Sequence, residues 1–189
     1  MEPSLEFDKY NIAKTSLKVL SHFLSSVKTN SMYWPWVYIS LHSAVQSYMV
    51  LALTGSNSLL TYRDKDAECW LKSYNANENL PDCRLDCFLN LYSKTKSKRF
   101  LIYTNSQKFM PTKSQDKNIR NLNKYRNEFI HYKYDSLLMI QGPLSFQIVL
   151  DGLGFIEFLV FRSNNITWSD DNQTEEIKRI LENCRSKVS

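Results

Sequence analysis

The chain has 189 residues, with 24 lysines and arginines against 19 aspartates and glutamates, and a formal net charge of +5. This length predicts a single domain, residues 1–189, that is long enough to bury a core. Four glycines and five prolines are too few for the many turns of a β-sandwich or a β-barrel, and a hydrophobic content of 43% excludes a disordered chain. We therefore expect a globular all-α protein.

Neither a secretory signal nor a membrane span is predicted. The first residues, MEPSLEFDKYNIAK, contain no basic stretch followed by an apolar one. The longest apolar run, residues 37–53, contains His42, Gln46 and several serines, which is typical of a core helix. Four cysteines without a signal peptide indicate reduced thiols, which we expect to be buried. These features predict a cytoplasmic protein with no membrane partner.

The sequence contains none of the common motifs that bind a nucleotide, a cofactor or a metal ion. It has no glycine-rich phosphate loop, no HExxH helix and no GxSxG elbow. Cys83 and Cys87 are four residues apart, but no CxxC pair and no nearby histidine completes a zinc site. We expect neither a metal ion nor a cofactor.

Apolar residues recur at helical spacing in several segments of the chain. Pro35, Gly55 and the capping-box pair Thr112 and Gln115 mark helix ends. The predicted helices cover about residues 4–28, 35–54, 66–74, 85–92, 112–130, 144–161 and 177–184. We expect an antiparallel up-and-down four-helix bundle with extra short helices and a small extended segment near residues 136–142. Two glycines in the sixth helix, at positions 152 and 154, are expected to let another helix approach closely.

Positive charge is concentrated in one part of the chain. From Lys94 to Lys133, eleven lysines and arginines stand against two acidic residues, a net charge of +9. Such a local field attracts phosphate backbones, although a solvated lysine-rich face is an equal alternative. Tyrosines lie among these cations and are suited to stacking on unpaired bases, or to half-buried packing in the bundle. The expected RNA-binding residues are Arg120, Lys124, Tyr132, Lys133 and Tyr134.

The motif RNEFIH, residues 126–131, combines an arginine and a histidine near a helix end. At about 100° per residue, Asn127 and His131 share one face of the helix, whereas Arg126 lies on a neighbouring face. Histidine can move a proton near neutral pH, and a guanidinium can hold a phosphate and stabilise charge that develops on it. The alternative is structural: an arginine paired with Glu128 or another acid, and a histidine at a helix C-terminus.

RNEFIH resembles the R-x4-6-H signature of the HEPN superfamily, with Asn127 matching the polar residue that often follows the arginine. The segments WVYISLHSAVQSYMVLALTGSN and LNKYRNEFIHYKYDSLLMIQGPLSFQIVLDGLGFIEFLV are similar to a bacterial stand-alone branch of that superfamily. Together they cover about 60 residues. The chain departs from one subgroup of toxins in carrying Lys133 where those proteins have a tyrosine.

The resemblance implies a homodimer in which both motifs face one interfacial cleft. It further implies metal-independent RNA cleavage by attack of a ribose 2′-OH, with His131 as the general acid or base. Arg126 would stabilise the phosphorane and Asn127 would orient His131 or the phosphate. Such proteins are toxins or defence effectors, in some cases with a cognate antitoxin.

Two other functions are also compatible with the sequence. HEPN folds also serve as non-catalytic modules that bind nucleotide or RNA or scaffold a partner protein, and a fold alone does not decide between these roles. A DNA-binding regulator has only the basic segment in its favour, because no helix-turn-helix spacing is present.

Overall fold

The computed structural model describes residues 7–132 and 140–188, apart from the side chain of residue 171. In this part of the chain the architecture is all-helical, as predicted, and one isolated bridge between Tyr62 and Leu85 is the sole β-type pairing. The helices are α1 Lys9–Ser26, α2 Trp34–Thr54, α3 Asp64–Asn75, α4 Phe88–Thr95, α5 Lys113–His131, α6 Gly142–Glu157 and α7 Asp171–Val188.

Local signals in the sequence determine several helix ends. Pro35 lies in the first turn of α2, and Gly55 ends that helix with a φ of 48°, which glycine adopts without steric cost. At the start of α5, the backbone N–H of Gln115 donates to the Thr112 hydroxyl, and the Gln115 side chain accepts from the Thr112 N–H. This predicted capping box therefore forms in both directions.

Helix α2 is the central element of the core. It packs against α1, α4, α5 and α6, while α7 packs against α1 and α6. Because neighbours cover α2 on most sides, it is apolar on most of its circumference rather than along one stripe. Its side chains with no exposed surface are Val37, Tyr38, Leu41, Ala44, Val45, Tyr48, Met49 and Ala52.

Helix α6 approaches α2 closely at one of its two interior glycines. A Cβ added to Gly152 would lie 2.9 Å from Leu41 Cδ1, whereas a Cβ added to Gly154 would meet no atom within 4 Å. The prediction of close approach is therefore confirmed for Gly152 and wrong for Gly154. After Glu157 the helix continues as one π-helical turn, Phe158–Arg162.

Only part of the predicted extended segment lies within the described residues. Positions 136–139 fall outside them. Gln141 caps the N-terminus of α6 with an extended backbone, and Gly142 is already helical. The C-terminal end of the predicted segment is therefore the entry to α6.

The cysteines do not share the buried environment that the sequence predicts. Cys184 is buried between α7 and α1, and burial raises the pKa of its thiol to about 11. Cys69 and Cys87 are exposed, and Cys83 is half-buried in the loop before α4. The prediction of buried thiols is thus wrong for three of the four.

Two helical segments have the length and apolarity of a membrane span. They are Ser31–Thr54, which includes α2, and Gly142–Arg162, which includes α6. In each segment, 61% of the most apolar window is buried inside the structure, and buried core helices meet the same criterion.

Lys94, the first cation of the basic segment, is buried in an ion-pair network. Its Nζ lies 2.7 Å from Asp86 Oδ2 and 3.3 Å from Asp64 Oδ1, and it donates to the Tyr62 carbonyl at 2.6 Å. Burial alone would raise the pKa of Asp86, but hydrogen bonds, the one from Lys94 first, lower it overall. The network joins α4 to the chain segment that precedes it.

Candidate functional site

The R-x4-H motif lies on the last turns of α5, and buried contacts hold that helix in place. Ile119 and Leu122 are fully buried, and the Asn118 amide donates to Asp151 of α6 at 2.6 Å. The helix ends at His131, and Tyr132 follows in the left-handed region with a φ of 49°. The motif is therefore presented at the end of a well-anchored helix.

Among the described residues, Arg126 does not form the surface ion pair that the structural alternative requires. Its guanidinium donates to Asn127 Oδ1 at 2.9 Å, and no carboxylate in the described part of the chain forms a salt bridge with it. Glu128 instead lies 3.7 Å from Lys124. Asn127 thus orients the guanidinium, a contact that the sequence did not indicate.

Arg126 lines a groove on the surface of α2, which we call the Arg126 groove. Its volume is about 390 Å³. Side chains of α1, α2 and α5, with Leu85 of the loop before α4, form its walls, and no acidic residue is among those lining residues that the structure describes. They are Lys9, Ile12, Ile39, His42, Ser43, Gln46, Ser47, Val50, Leu85 and Arg126.

A smaller pocket of about 240 Å³ adjoins the Arg126 groove. The two share His42, Gln46 and Arg126, so these three side chains lie between them. Asn123 and Asn127 of α5 complete the polar lining of the smaller pocket. Two neighbouring depressions therefore converge on the motif arginine.

His42 is both a satisfied core histidine and a lining residue of the groove. Its Nε2 lies 3.2 Å from Asn123 Oδ1, and its ring stacks on Phe88 at 4.1 Å between centroids. Burial first, and then the charge of Arg126, lowers the pKa of His42 to about 4. The imidazole is therefore neutral near pH 7.

His131 is exposed and lines neither of the two pockets that contain Arg126. Its position on α5 is nevertheless aligned with the smaller pocket, because Asn123, Asn127 and His131 are spaced by four residues and follow one strip of the helix. His131 lies one turn beyond Asn127, about 6 Å along the axis. The structure thus places Arg126 and Asn127 together and His131 just beyond them.

The predicted RNA-binding residues differ in their surroundings. Arg120 forms an ion pair with Asp116 at 2.8 Å and Lys124 pairs with Glu128, yet both cations remain exposed. Tyr132 is 79% exposed. The last two, Lys133 and Tyr134, lie outside the described residues.

Part of the charge in the basic segment is neutralised by ion pairs, with Asp116 inside the segment and with Asp64 and Asp86 outside it. Asp116 also pairs with Lys96, and the hydrogen bonds from Arg120 and Lys96 lower the pKa of its carboxyl to about 2. Arg99 pairs with Asp64 at 3.0 Å, and Lys94 is buried as described above. The count of cations along the sequence therefore overstates the positive field of this surface.

The described residues contain no group of three or more histidine, cysteine, aspartate or glutamate side chains that could hold a metal ion. Comparison with known protein families, curated proteins and solved structures found no match for this chain.

Proposed function

We propose that this protein is a metal-independent endoribonuclease, a toxin or defence effector, whose active site is built around Arg126. The observation that carries the proposal is the environment of the Arg126 guanidinium. It lines two adjoining pockets, forms no salt bridge with a described carboxylate, and is oriented by Asn127. An arginine held in this way is available to a phosphodiester.

The chemistry assigned to the motif is general acid–base catalysis. Attack of a ribose 2′-OH on the adjacent phosphate forms a phosphorane, whose negative charge Arg126 stabilises. His131 removes the proton from the 2′-OH or gives a proton to the leaving 5′ oxygen. The products are a 2′,3′-cyclic phosphate and a 5′-OH. Asn127 acts by holding Arg126 in position, which differs from the role that the resemblance implies, orienting His131 or the phosphate.

The proposal includes a HEPN-like bundle made by the four helices α1, α2, α5 and α6. The packing of α2 against the other three supports this arrangement. The proposed location is the cytoplasm and the proposed partner is RNA, with an antitoxin protein as a further expected partner.

A second copy of the chain is also part of the proposal, because His131 and Arg126 of one chain do not share a pocket. An exposed surface between α1 and α2, which we call the α1–α2 patch, supports self-association. Its side chains are Val19, Phe23, Met32, Tyr33 and Trp36, and four of them are between 38% and 74% exposed. Apolar patches of this kind often mark protein interfaces.

A non-catalytic module that binds RNA or nucleotide, or that scaffolds a partner, is the second candidate. One observation favours it: the imidazole of the motif is exposed at the helix end and lines neither of the two pockets that contain the guanidinium. In this case the two pockets at Arg126 would bind RNA or a nucleotide without cleaving it.

The decisive experiment incubates the purified protein with a defined single-stranded RNA in the presence of a chelator. We expect the wild type to cut the RNA and His131→Ala to be at least 100-fold slower, the usual contribution of a general acid or base. Lys178→Ala, a change at an exposed residue of α7 away from the motif and the α1–α2 patch, is the control and should cut normally. A wild type that binds the RNA without cutting it, or an equally active His131→Ala, contradicts the proposal.

A further inference from the structure

The Arg126 groove has a charge distribution suited to an anion with an apolar body. Lys9 of α1 and Arg126 of α5 contribute the two cations, and no acidic residue is among the described residues that line the groove. Between them lies a wall of α2 that contains apolar and uncharged polar side chains. The groove therefore favours a ligand with negative charge at its ends and disfavours a positively charged ligand.

The wall of the groove supplies both kinds of contact that a nucleobase makes. Ile39 and Val50 offer apolar surface, while Ser43, Gln46 and Ser47 offer hydrogen-bond donors and acceptors. Unpaired bases in RNA are bound by contacts to their faces, most often from aromatic rings or arginine, and by hydrogen bonds to their edges. The volume of about 390 Å³ lies in the range of small-ligand sites and accommodates one nucleotide.

His42 keeps the groove free of a third charge. It is neutral near pH 7 because it is buried beside Arg126, and its bond to Asn123 fixes the ring. The imidazole therefore forms a rigid polar edge of the groove next to the guanidinium.

We propose that the Arg126 groove holds one unpaired nucleotide of a single-stranded RNA, with one flanking phosphate at Arg126 and the other at Lys9. The choice of RNA as the ligand rests on the proposed function, and the new element is where the strand lies. On this proposal the substrate runs from α5 across the outer surface of α2 to the first turn of α1.

The test is binding of a fluorescein-labelled, fully 2′-O-methylated single-stranded RNA, measured by fluorescence anisotropy. This RNA has no free 2′-OH and cannot be cleaved by the proposed reaction. Ser47→Trp fills the groove and should weaken binding at least tenfold. Lys9→Ala should weaken it several-fold and should reduce the slope of log K against log salt by about 0.7, the value for one lost phosphate contact on a single strand.

Matched controls place the same changes on α7, away from the groove. Ser186→Trp and Lys178→Ala alter exposed residues and should bind like the wild type. Circular dichroism and thermal melting verify folding, and Lys9→Ala, a change at the helix surface, still tests the proposal if Ser47→Trp does not fold.

Wild-type affinity in folded Ser47→Trp, or in Lys9→Ala with an unchanged salt slope, overturns the proposal. So does a Ser47→Trp variant that keeps its RNA affinity but changes from dimer to monomer in light scattering, because the groove would then hold a second copy. These outcomes are separate from failure of the nuclease. A wild type that binds in the groove without cutting defeats the nuclease alone, and one that cuts while Ser47→Trp binds normally defeats the groove alone.

Discussion

His42 and Arg126 lie beside each other at the centre of the site, and only one of them carries a charge near pH 7. The guanidinium remains protonated at any accessible pH, so the imidazole is the group that gives up its proton. Protonating His42 would place two positive charges next to each other in a partly buried site. This cost links the stability of the whole protein to pH.

The pH dependence of unfolding tests this arrangement. The pKa of His42 is about 4 in the folded protein against an ordinary value of 6.5. Between these values the unfolded chain binds the extra proton, so stability is complete above about pH 6.5 and falls as the pH decreases towards 4. We expect the wild type to lose on the order of 3 kcal/mol more than His42→Gln over this interval.

Urea unfolding at a series of pH values measures this difference. The control is His22→Gln at an exposed position of α1, which should retain the pH dependence of the wild type. If His42→Gln follows the same curve as the wild type from pH 7 to pH 4, the imidazole is not held neutral by the fold.

At the scale of elements, the two glycines of α6 make opposite predictions. Gly152→Ala brings a methyl group against the fully buried side chain of Leu41, and overpacking should destabilise the protein by about 1–2 kcal/mol after the gain in helix propensity. Gly154→Ala meets no neighbour and should stabilise by about 0.5–1 kcal/mol.

Chemical denaturation of the two variants checks this pair. They differ by one methyl group at positions two residues apart, so each is the control for the other. Equal shifts of the unfolding midpoint in the same direction would contradict the close packing of α6 on α2.

Periodicity and capping residues predicted the seven α-helices of the described residues, because these signals act within a few residues. They did not predict the 3₁₀ turns Ser31–Tyr33, Leu59–Thr61 and Lys98–Phe100, and α7 begins six residues earlier than predicted. The Thr112 capping box and the Gly55 stop are examples in which sequence neighbours alone determine the geometry. Helix α4 was less well predicted, since its apolar run begins before the helix does at Phe88. No local rule distinguished Gly152 from Gly154, whose difference depends on a residue of α2.

The site could be predicted only in part from the sequence, because it too depends on contacts between helices that are distant along the chain. Spacing of four residues related Asn127 to His131, but the position of His42 beside Arg126 depends on how α2 packs against α5. Similarly, Lys94 is buried because carboxylates from two other segments reach it. A sum of charges along the chain contains no information on such partners, and it therefore overestimated the basic surface.

At the scale of the whole molecule, the α1–α2 patch predicts the oligomeric state. We expect light scattering to give about twice the chain mass of 22.3 kDa, because apolar side chains such as Trp36 and Met32 are more than half exposed in the single chain. Trp36→Lys should shift the protein towards the monomer by placing a charge in the patch.

Tyr74→Lys is the matched control for this experiment. Tyr74 is also an exposed aromatic residue, at 60%, but it lies on α3, away from the patch. A wild-type protein that stays at 22.3 kDa at high concentration would contradict the dimer, and a dimeric Trp36→Lys would contradict this choice of interface.

The buried contact between Lys94 and Asp86 has a consequence for behaviour on heating. Removing ions from water is costly, and this cost decreases as temperature rises, since the ordering of water around charges is entropically unfavourable. The ion pair should therefore contribute more to folding in warm conditions than in cold ones, whereas burial of apolar side chains reaches a plateau. The ion pair that joins α4 to the preceding segment should therefore make a larger relative contribution to the free energy of unfolding as the temperature rises.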